Sequence, residues 1–410
     1  MSGPLTGFKV LDMSRILAGP WAGQMLADLG AEVIKIERPG PGDDTRHWGP
    51  PYLRDKDGKD SDDAAYFFCA NRGKQSVTVD ITQPEGQEII RQLASQCDAL
   101  IENYKVGGLA KYGLDYPSLQ QLNPQLVYCS ITGFGQTGPY AGRPGYDFLI
   151  QGMAGLMSLT GEPDSQGGSP VKVGVAVTDL LTGLYAANAI QGALLERNQS
   201  GLGQYIDLAL LDVQVAALAN QASNYLIGGE IPQRLGNAHP NIVPYQAFST
   251  ADGHIILAVG NQGQFERLCQ ILGKPDWLKD QRYHSNSARV ENRQQLCTQI
   301  SQLLEKRSSE DWLAAFEQQQ IPCGPINTLE QVFNDPQVLA RNMLVNIEER
   351  RSGELTLAAN PINYSRSQIN YSVPPPELGS STESILSNYL EYSAMDLSLI
   401  HISEPTRLGM

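Results

Sequence analysis

One carboxylate in this chain stands where a nucleophile could be held. In GVAVTDLLTGLYA, residues 174–186, Asp179 lies between a small-residue loop and an apolar run. Thr178 and Asp179 precede Leu180, Leu181, Leu184, Ile190 and Leu194. That spacing predicts a helix buried on most of its surface, with Asp179 at the edge of a core rather than in bulk water. Two roles fit the position. Asp is a preferred N-cap, because its carboxylate accepts orphan backbone N–H groups at a helix start. It is also a weak nucleophile in water because it is well solvated, and a buried helix entrance would strip that hydration and fix its direction of attack. The helix N-terminus would favour the ionised form by roughly 0.3–1 kcal/mol.

The elements needed to hold such a group are legible upstream. FKVLDM, PWAGQMLADLG and AEVIKIE, within residues 8–37, read as strand, helix and strand, a mononucleotide-binding start. Further strand-like runs, SVTVDI at 76–81, ALIEN at 99–103 and LVYCSIT at 126–132, alternate with helices such as PEGQEIIRQLASQ. The alternation predicts an α/β fold with a parallel sheet flanked by helices. After AALANQASNYLIGG the pattern changes to GHIILAVG and then to helices around FERLCQIL and NRQQLCTQISQLLEK, which predicts a smaller α/β domain over 225–330. The first turn, ILAGPWAG, has Gly19 and Gly23 but no GxGxxG fingerprint, and no GxxxxGK[ST] occurs anywhere.

With 410 residues, 41% hydrophobic and 18% charged, the chain has the make-up of a two-domain globular enzyme. Its net charge of −14 argues against nucleic-acid binding, which draws affinity from Lys and Arg on phosphates. No run approaches the ~20 apolar residues of a membrane span, and the N-terminus lacks a targeting pattern, so we expect a cytoplasmic protein with no membrane partner. The six cysteines form no CxxC pair and the five histidines no ligand spacing, so buried free thiols and no metal are expected.

AGRPGYDFLIQGMAGLMSLTG, GAEVIKIERPGPGDDTRHWGPP and IPCGPINTLEQVFNDPQV together resemble the class III CoA-transferases, the formyl-CoA and carnitine CoA-transferase type. ASNYLIGG followed by GNAHPNIVPYQAFSTADGHIILAVGNQGQF is most similar to the succinyl-CoA:glutarate, or dicarboxylate, branch. The resemblance runs from about Leu5 to about Leu397. It implies a large Rossmann-like CoA-binding domain, discontinuous over 1–224 and 331–397, in a ring-shaped chain that interlocks with a second copy as a homodimer. Ser398–Met410 match nothing in the family and read as a non-native tail.

The resemblance makes Asp179 the catalytic nucleophile, with a CoA thioester as substrate and no permanently bound cofactor. Asp179 would attack the donor thioester, the released thiolate would return to form an aspartyl-CoA thioester, and the acceptor acid would repeat the exchange in reverse. Leu17 and Ala18 would hold the acyl oxygen through backbone N–H groups, Leu17 standing where formyl-CoA transferases carry glutamine. Arg38 in IKIERP, Asn71, Arg72 and Lys74 in CANRGKQSV, and Asn103, Tyr104 and Lys111 in ENYKVGGLAKYG match positions lining the CoA groove. Lys111 replaces an arginine. Tyr146 in PGYDFL matches a histidine that 2-methylacyl-CoA racemases use as one of two bases, and a tyrosine with a pKa near 10 suits that task poorly. Trp48 and His239 match the region around the active-site loop, His239 reading equally as a supporting hydrogen-bonding residue. Arg46 in DDTRHWGPP could pair with the distal carboxylate of a dicarboxylate acceptor, or with Asp43 or Asp44 on the surface. A racemase and a non-catalytic nucleotide-binding protein are the alternative readings.

Overall fold

The chain, seen in a computed structural model, is described over residues 3–393, so the tail Ser398–Met410 lies outside the described residues. It forms two compact units. The first holds the residues up to Ala154, Gly174–Ala217 and those from Pro336 on; the second holds Gly155–Val173 and Leu218–Asp335.

The first unit is built on six parallel strands: β1 (Lys9–Asp12), β2 (Glu32–Glu37), β3 (Lys74–Thr78), β4 (Ala99–Glu102), β5 (Val127–Thr132) and β6 (Tyr205–Ala209). Their spatial order is β3-β2-β1-β4-β5-β6, and every neighbouring pair is parallel. This is the doubly wound order, in which the chain reverses direction between β1 and β4 and leaves a crevice beyond the carboxyl ends of the strands. Strands covered on both faces read as continuous apolar runs, and β5 is buried along its whole length. The sequence reading omitted β6. It lies at the sheet edge with Tyr205 and Asp207 exposed and Ile206 and Leu208 half-buried, a short alternation that carries little signal.

Helices α1 (Ala18–Asp28), α2 (Pro84–Gln96), α3 (Asp147–Met153) and α4 (Val177–Ser200) follow in chain order. Ala22 and Leu26 of α1 and Ala186 and Ile190 of α4 cover Val10, Val127 and Ile131 on one face of the sheet. Ile89, Ile90 and Leu93 of α2 cover Leu11, Ile34 and Leu100 on the other.

Helix α4 buries Ile190 and Leu194 as expected, but not the leucines of its first turns. Its core stripe is Thr178, Thr182, Gly183, Ala186, Ala187 and Ile190, whereas Leu180 and Leu181 are half-buried and Leu184 is exposed. Close approach is the reason. A Cβ on Gly183 would stand 2.7 Å from the carbonyl oxygen of Ala18, so the first turns of α4 lie too near α1 to admit leucines on that side, whereas Leu194 is buried further along.

The second unit carries an antiparallel sheet of Tyr245–Ser249, His254–Ala258 and Cys323–Pro325, with His254–Ala258 in the middle. Phe248, Ile255, Leu257, Phe265, Leu296, Ile300, Trp312 and Phe316 form its core. The unit reaches beyond the predicted 225–330, because Gly155–Val173 joins it. Backbone bonds from Val171 N–H to the Thr160 carbonyl and from Gly236 N–H to the Gly161 carbonyl, at 3.0 and 3.1 Å, fasten that segment. Cys97, Cys129 and Cys269 are buried free thiols, but Cys69 is exposed.

Candidate active site

A cleft of about 640 Å³ opens at the carboxyl ends of the strands of the first unit. The loop after β1 supplies Arg15, Ile16, Leu17 and Ala18; that after β2, Arg38; that after β4, Asn103, Tyr104, Lys105 and Lys111. Arg143 and Tyr146 close one side, and Asp179 stands in the wall. Eight of the sequence-derived positions therefore share one crevice: Leu17, Ala18, Arg38, Asn103, Tyr104, Lys111, Tyr146 and Asp179. Close glycine contact brings Tyr146 there, since a Cβ on Gly133 at the exit of β5 would stand 2.5 Å from the Cα of Gly145.

Asp179 lies in the first turn of α4 and does not cap it. The N-cap is Ala176, without a side-chain bond. The cap comes instead from Asp147 in α3, whose Oδ1 accepts the N–H of Thr178 at 2.8 Å and that of Asp179 at 3.4 Å. The Asp179 carboxylate is thus left for other work. Burial, and then the charge of Asp147, push its pKa up to about 7. The helix N-terminus was expected to keep it ionised; desolvation outweighs that contribution. Near neutrality the group is divided between acid and carboxylate.

Tyr66 was not anticipated. Its phenol is pushed up to about 12 by burial and then by the negative charges around it, Asp179 and Asp147 among them, so it stays protonated beside the carboxylates. Trp48, nearly half exposed, meets the Tyr66 ring edge-on at 5.3 Å and does not itself line the cleft. Arg15, Lys105 and Arg143 were also missed, although Lys105 sits inside ENYKVGGLAKYG and Arg143 inside AGRPGYDFL; a cation in the first residues after a strand or just before PGYD was the available signal.

Six expected site residues do not line the cleft: Trp48, Arg46, Asn71, Arg72, Lys74 and His239. Arg46 is buried, donating to Glu37 at 2.7 and 2.8 Å, to Asp63 at 2.9 Å and to the Pro376 carbonyl at 3.0 Å. It pairs with neither Asp43 nor Asp44, and its fork has no face left for an acceptor. Arg72 is held by Asp28 at 2.7 and 2.8 Å and by the Ala358 carbonyl. Lys74, fully buried, donates to Asp12, to Asn71 Oδ1 and to the Pro20 carbonyl. Asn71 in turn donates to the Phe67 carbonyl. The CANRGKQSV segment therefore braces α1 from beneath and does not line the cleft, since each polar group is consumed by a buried partner. Asn103 does line it, but its amide is committed to Arg15, accepting from the N–H at 3.0 Å and donating to the carbonyl at 2.7 Å. His239 belongs to the second unit, where its Nδ1 accepts from Asn241 N–H at 3.1 Å and its ring lies 5.2 Å from that of Tyr245.

Arg38, Lys105 and Lys111 give an acidic chain a cationic rim along this crevice, which suits a phosphorylated ligand. A family model described as CoA-transferase family III matches residues 5–382. The chain belongs to CoA-transferase family III. It is 53% identical over 383 residues to the succinate–glutarate CoA-transferase of Agrobacterium fabrum, covering 93% of this chain and 95% of that one. It is 44% identical over 389 residues to the succinyl-CoA:glutarate CoA-transferase of Homo sapiens, covering 95% and 86%. A crystal structure of a CAIB/BAIF family protein from Brucella suis superposes with a TM-score of 0.83 at 49% identity, over 95% of this chain and all of that one. Membership makes this protein an enzyme of CoA transfer that uses CoA thioesters, and the non-catalytic reading falls.

Proposed function

We propose that this family III enzyme moves CoA from succinyl-CoA to glutarate, or to a dicarboxylate of similar length, by way of an aspartyl-CoA thioester on Asp179. The observation that carries the mechanism is the position of Asp179: in the wall of a cation-rimmed crevice, in the first turn of a helix capped by another residue, and desolvated. The two relatives named for succinate and glutarate support the acid class.

The Asp179 carboxylate adds to the thioester carbonyl, and the C–S bond breaks to give a mixed anhydride and CoA thiolate. The thiolate adds to the Asp179 acyl carbon and releases the donor acid, leaving Asp179 as its CoA thioester. The acceptor carboxylate then attacks that thioester, and the same two exchanges in reverse deliver its CoA ester and free Asp179. Each step trades one acyl bond for another, so no ATP is consumed. The α1 start at Leu17 and Ala18 offers N–H groups for the oxyanion. Arg38, Lys105 and Lys111 hold the CoA phosphates, and Tyr66 stays protonated in the field of Asp179. Arg143, on the cleft wall with its guanidinium over Phe134 and Tyr140 and without a carboxylate partner among the described residues, reads the distal carboxylate in place of Arg46. We also propose, on family grounds, an interlocked cytoplasmic homodimer.

The test is chemical trapping. Incubation with succinyl-CoA followed by hydroxylamine should give a hydroxamate on Asp179 alone, seen by peptide mass spectrometry. Asp179→Ala should fold, bind CoA and lose transfer; near-normal turnover in that variant would sink the mechanism.

A further inference from the structure

The loop that carries the chain from β1 to α1 is pinned residue by residue. The carboxylate of Asp12 accepts from both the N–H and the hydroxyl of Ser14, and Lys35 Nζ donates to the Ser14 carbonyl at 3.0 Å. The amide of Asn103 brackets Arg15 on both sides. Ile16 N–H donates to Asp43 Oδ1 at 3.2 Å.

Ile16 is the unusual member. Its φ is +74°, the left-handed region, where a β-branched side chain is an outlier. Something must hold it there, and its one described side-chain partner is Asp43. That carboxylate is itself fixed: Oδ1 also accepts from Thr45 N–H at 3.0 Å and its hydroxyl at 2.8 Å, and Oδ2 accepts from Lys35 at 2.9 Å. Although burial opposes ionisation, the Lys35 charge and the Thr45 bonds hold Asp43 down at about 2, so the acceptor is a full carboxylate at any working pH. Beyond Ile16 come Leu17 and Ala18, and Ala18 abuts Gly183 of α4, one turn after Asp179. The twist at Ile16 therefore aims the α1 N-terminus at the wall where Asp179 stands.

We infer that Asp43 is a positioning residue for transfer: by holding Ile16 in the left-handed conformation it sets the Leu17–Ala18 turn against Asp179, although it does not itself line the cleft. The inference rests on Asp179 as the reacting group. Without the bond from Asp43, Ile16 relaxes to negative φ and the turn is aimed correctly only part of the time. The fraction lost lowers kcat, whereas acyl-CoA still binds through the rim cations. Glycine visits positive φ about as readily as negative φ, so a glycine at 16 replaces what Asp43 supplies.

The experiment is a rescue. Asp43→Ala should lower kcat for succinyl-CoA:glutarate transfer by roughly 5- to 30-fold, the equilibrium cost of a left-handed non-glycine residue, with KM for acyl-CoA changed less than about twofold. Adding Ile16→Gly should restore most of that kcat. Because Asp43→Ala strands the buried Lys35 charge, the same pair of measurements is made on Lys35→Met/Asp43→Ala, which leaves no orphan ammonium, with kcat expressed per trapped Asp179. An undiminished kcat, or a loss that Ile16→Gly leaves unrepaired in the folded pair variant, overturns the role. Turnover in Asp179→Ala overturns the covalent mechanism instead, so the two ideas fail separately.

Discussion

Asp147 caps the helix in whose first turn Asp179 lies, its Oδ1 accepting the N–H groups of Thr178 and Asp179, and its charge is the second cause, after burial, of the raised Asp179 pKa. One carboxylate thus does the structural work of the helix start and keeps its neighbour poorly ionised. The pairing separates two roles that both called for an aspartate.

A pH profile follows from it. Asp179 must be ionised to attack, and with a pKa of about 7 the nucleophile is lost as pH falls through neutrality. kcat/KM for succinyl-CoA, which reports the free enzyme, should rise to a plateau above pH 8 with an inflection near 7. Asp147→Asn keeps an oxygen for the cap and removes the like charge, so its inflection should move downward, the Gln151 amide turning over to match. An unmoved inflection would remove Asp147 as a cause.

The same shift has a stability consequence of opposite sense. A carboxyl whose folded pKa lies above its ordinary 3.8 binds more protons when folded, so its contribution favours folding at low pH and is lost as pH rises from about 4 to about 7. Asp179→Asn should therefore melt several degrees above wild type at pH 8 and little above it at pH 5, while losing transfer. Calorimetry at the two pH values checks this; a variant less stable at pH 8 would contradict the desolvated site.

Arg46→Met should cost stability and not selectivity. It leaves Glu37 without its buried guanidinium and Asp63 with Arg351 alone, a loss on the order of 3–5 kcal/mol. Urea unfolding should show that loss, and residual activity toward glutarate and butyrate should fall together. Selective loss of the dicarboxylate would return Arg46 to the acceptor site.

Arg143→Met should separate the acceptors instead, weakening glutarate by about tenfold or more relative to butyrate, as expected for one charge-assisted contact. A uniform loss would assign the side chain to its contacts with Phe134 and Tyr140.

Arg38→Ala should raise KM for acyl-CoA about tenfold with a smaller effect on kcat, because a phosphate contact persists through every step. Arg38 is exposed at the end of β2, so the effect should shrink as salt is raised. Loss confined to kcat would place Arg38 at the reacting centre.

Local pattern was enough for much of this molecule. The runs FKVLDM, AEVIKIE, SVTVDI, ALIEN and LVYCSIT bury both faces and alternate with helices, so their strands and their parallel sense follow from the chain itself. Asp179 at the start of an apolar helix was legible for the same reason. Tertiary structure alone decided which face the first turns of α4 bury, because the limit there is the Ala18 backbone lying against Gly183. It also decided which cations meet solvent. Arg38, Arg46, Arg72 and Lys74 all stand in basic segments near strand ends. What separates Lys74 from Arg38 is Asp12, 62 residues away in sequence and 2.9 Å away in space. A cation in contact with a buried carboxylate becomes a brace, whereas Arg38, in no ion pair among the described residues, stays open to a ligand, and that contact exists only once the sheet is assembled.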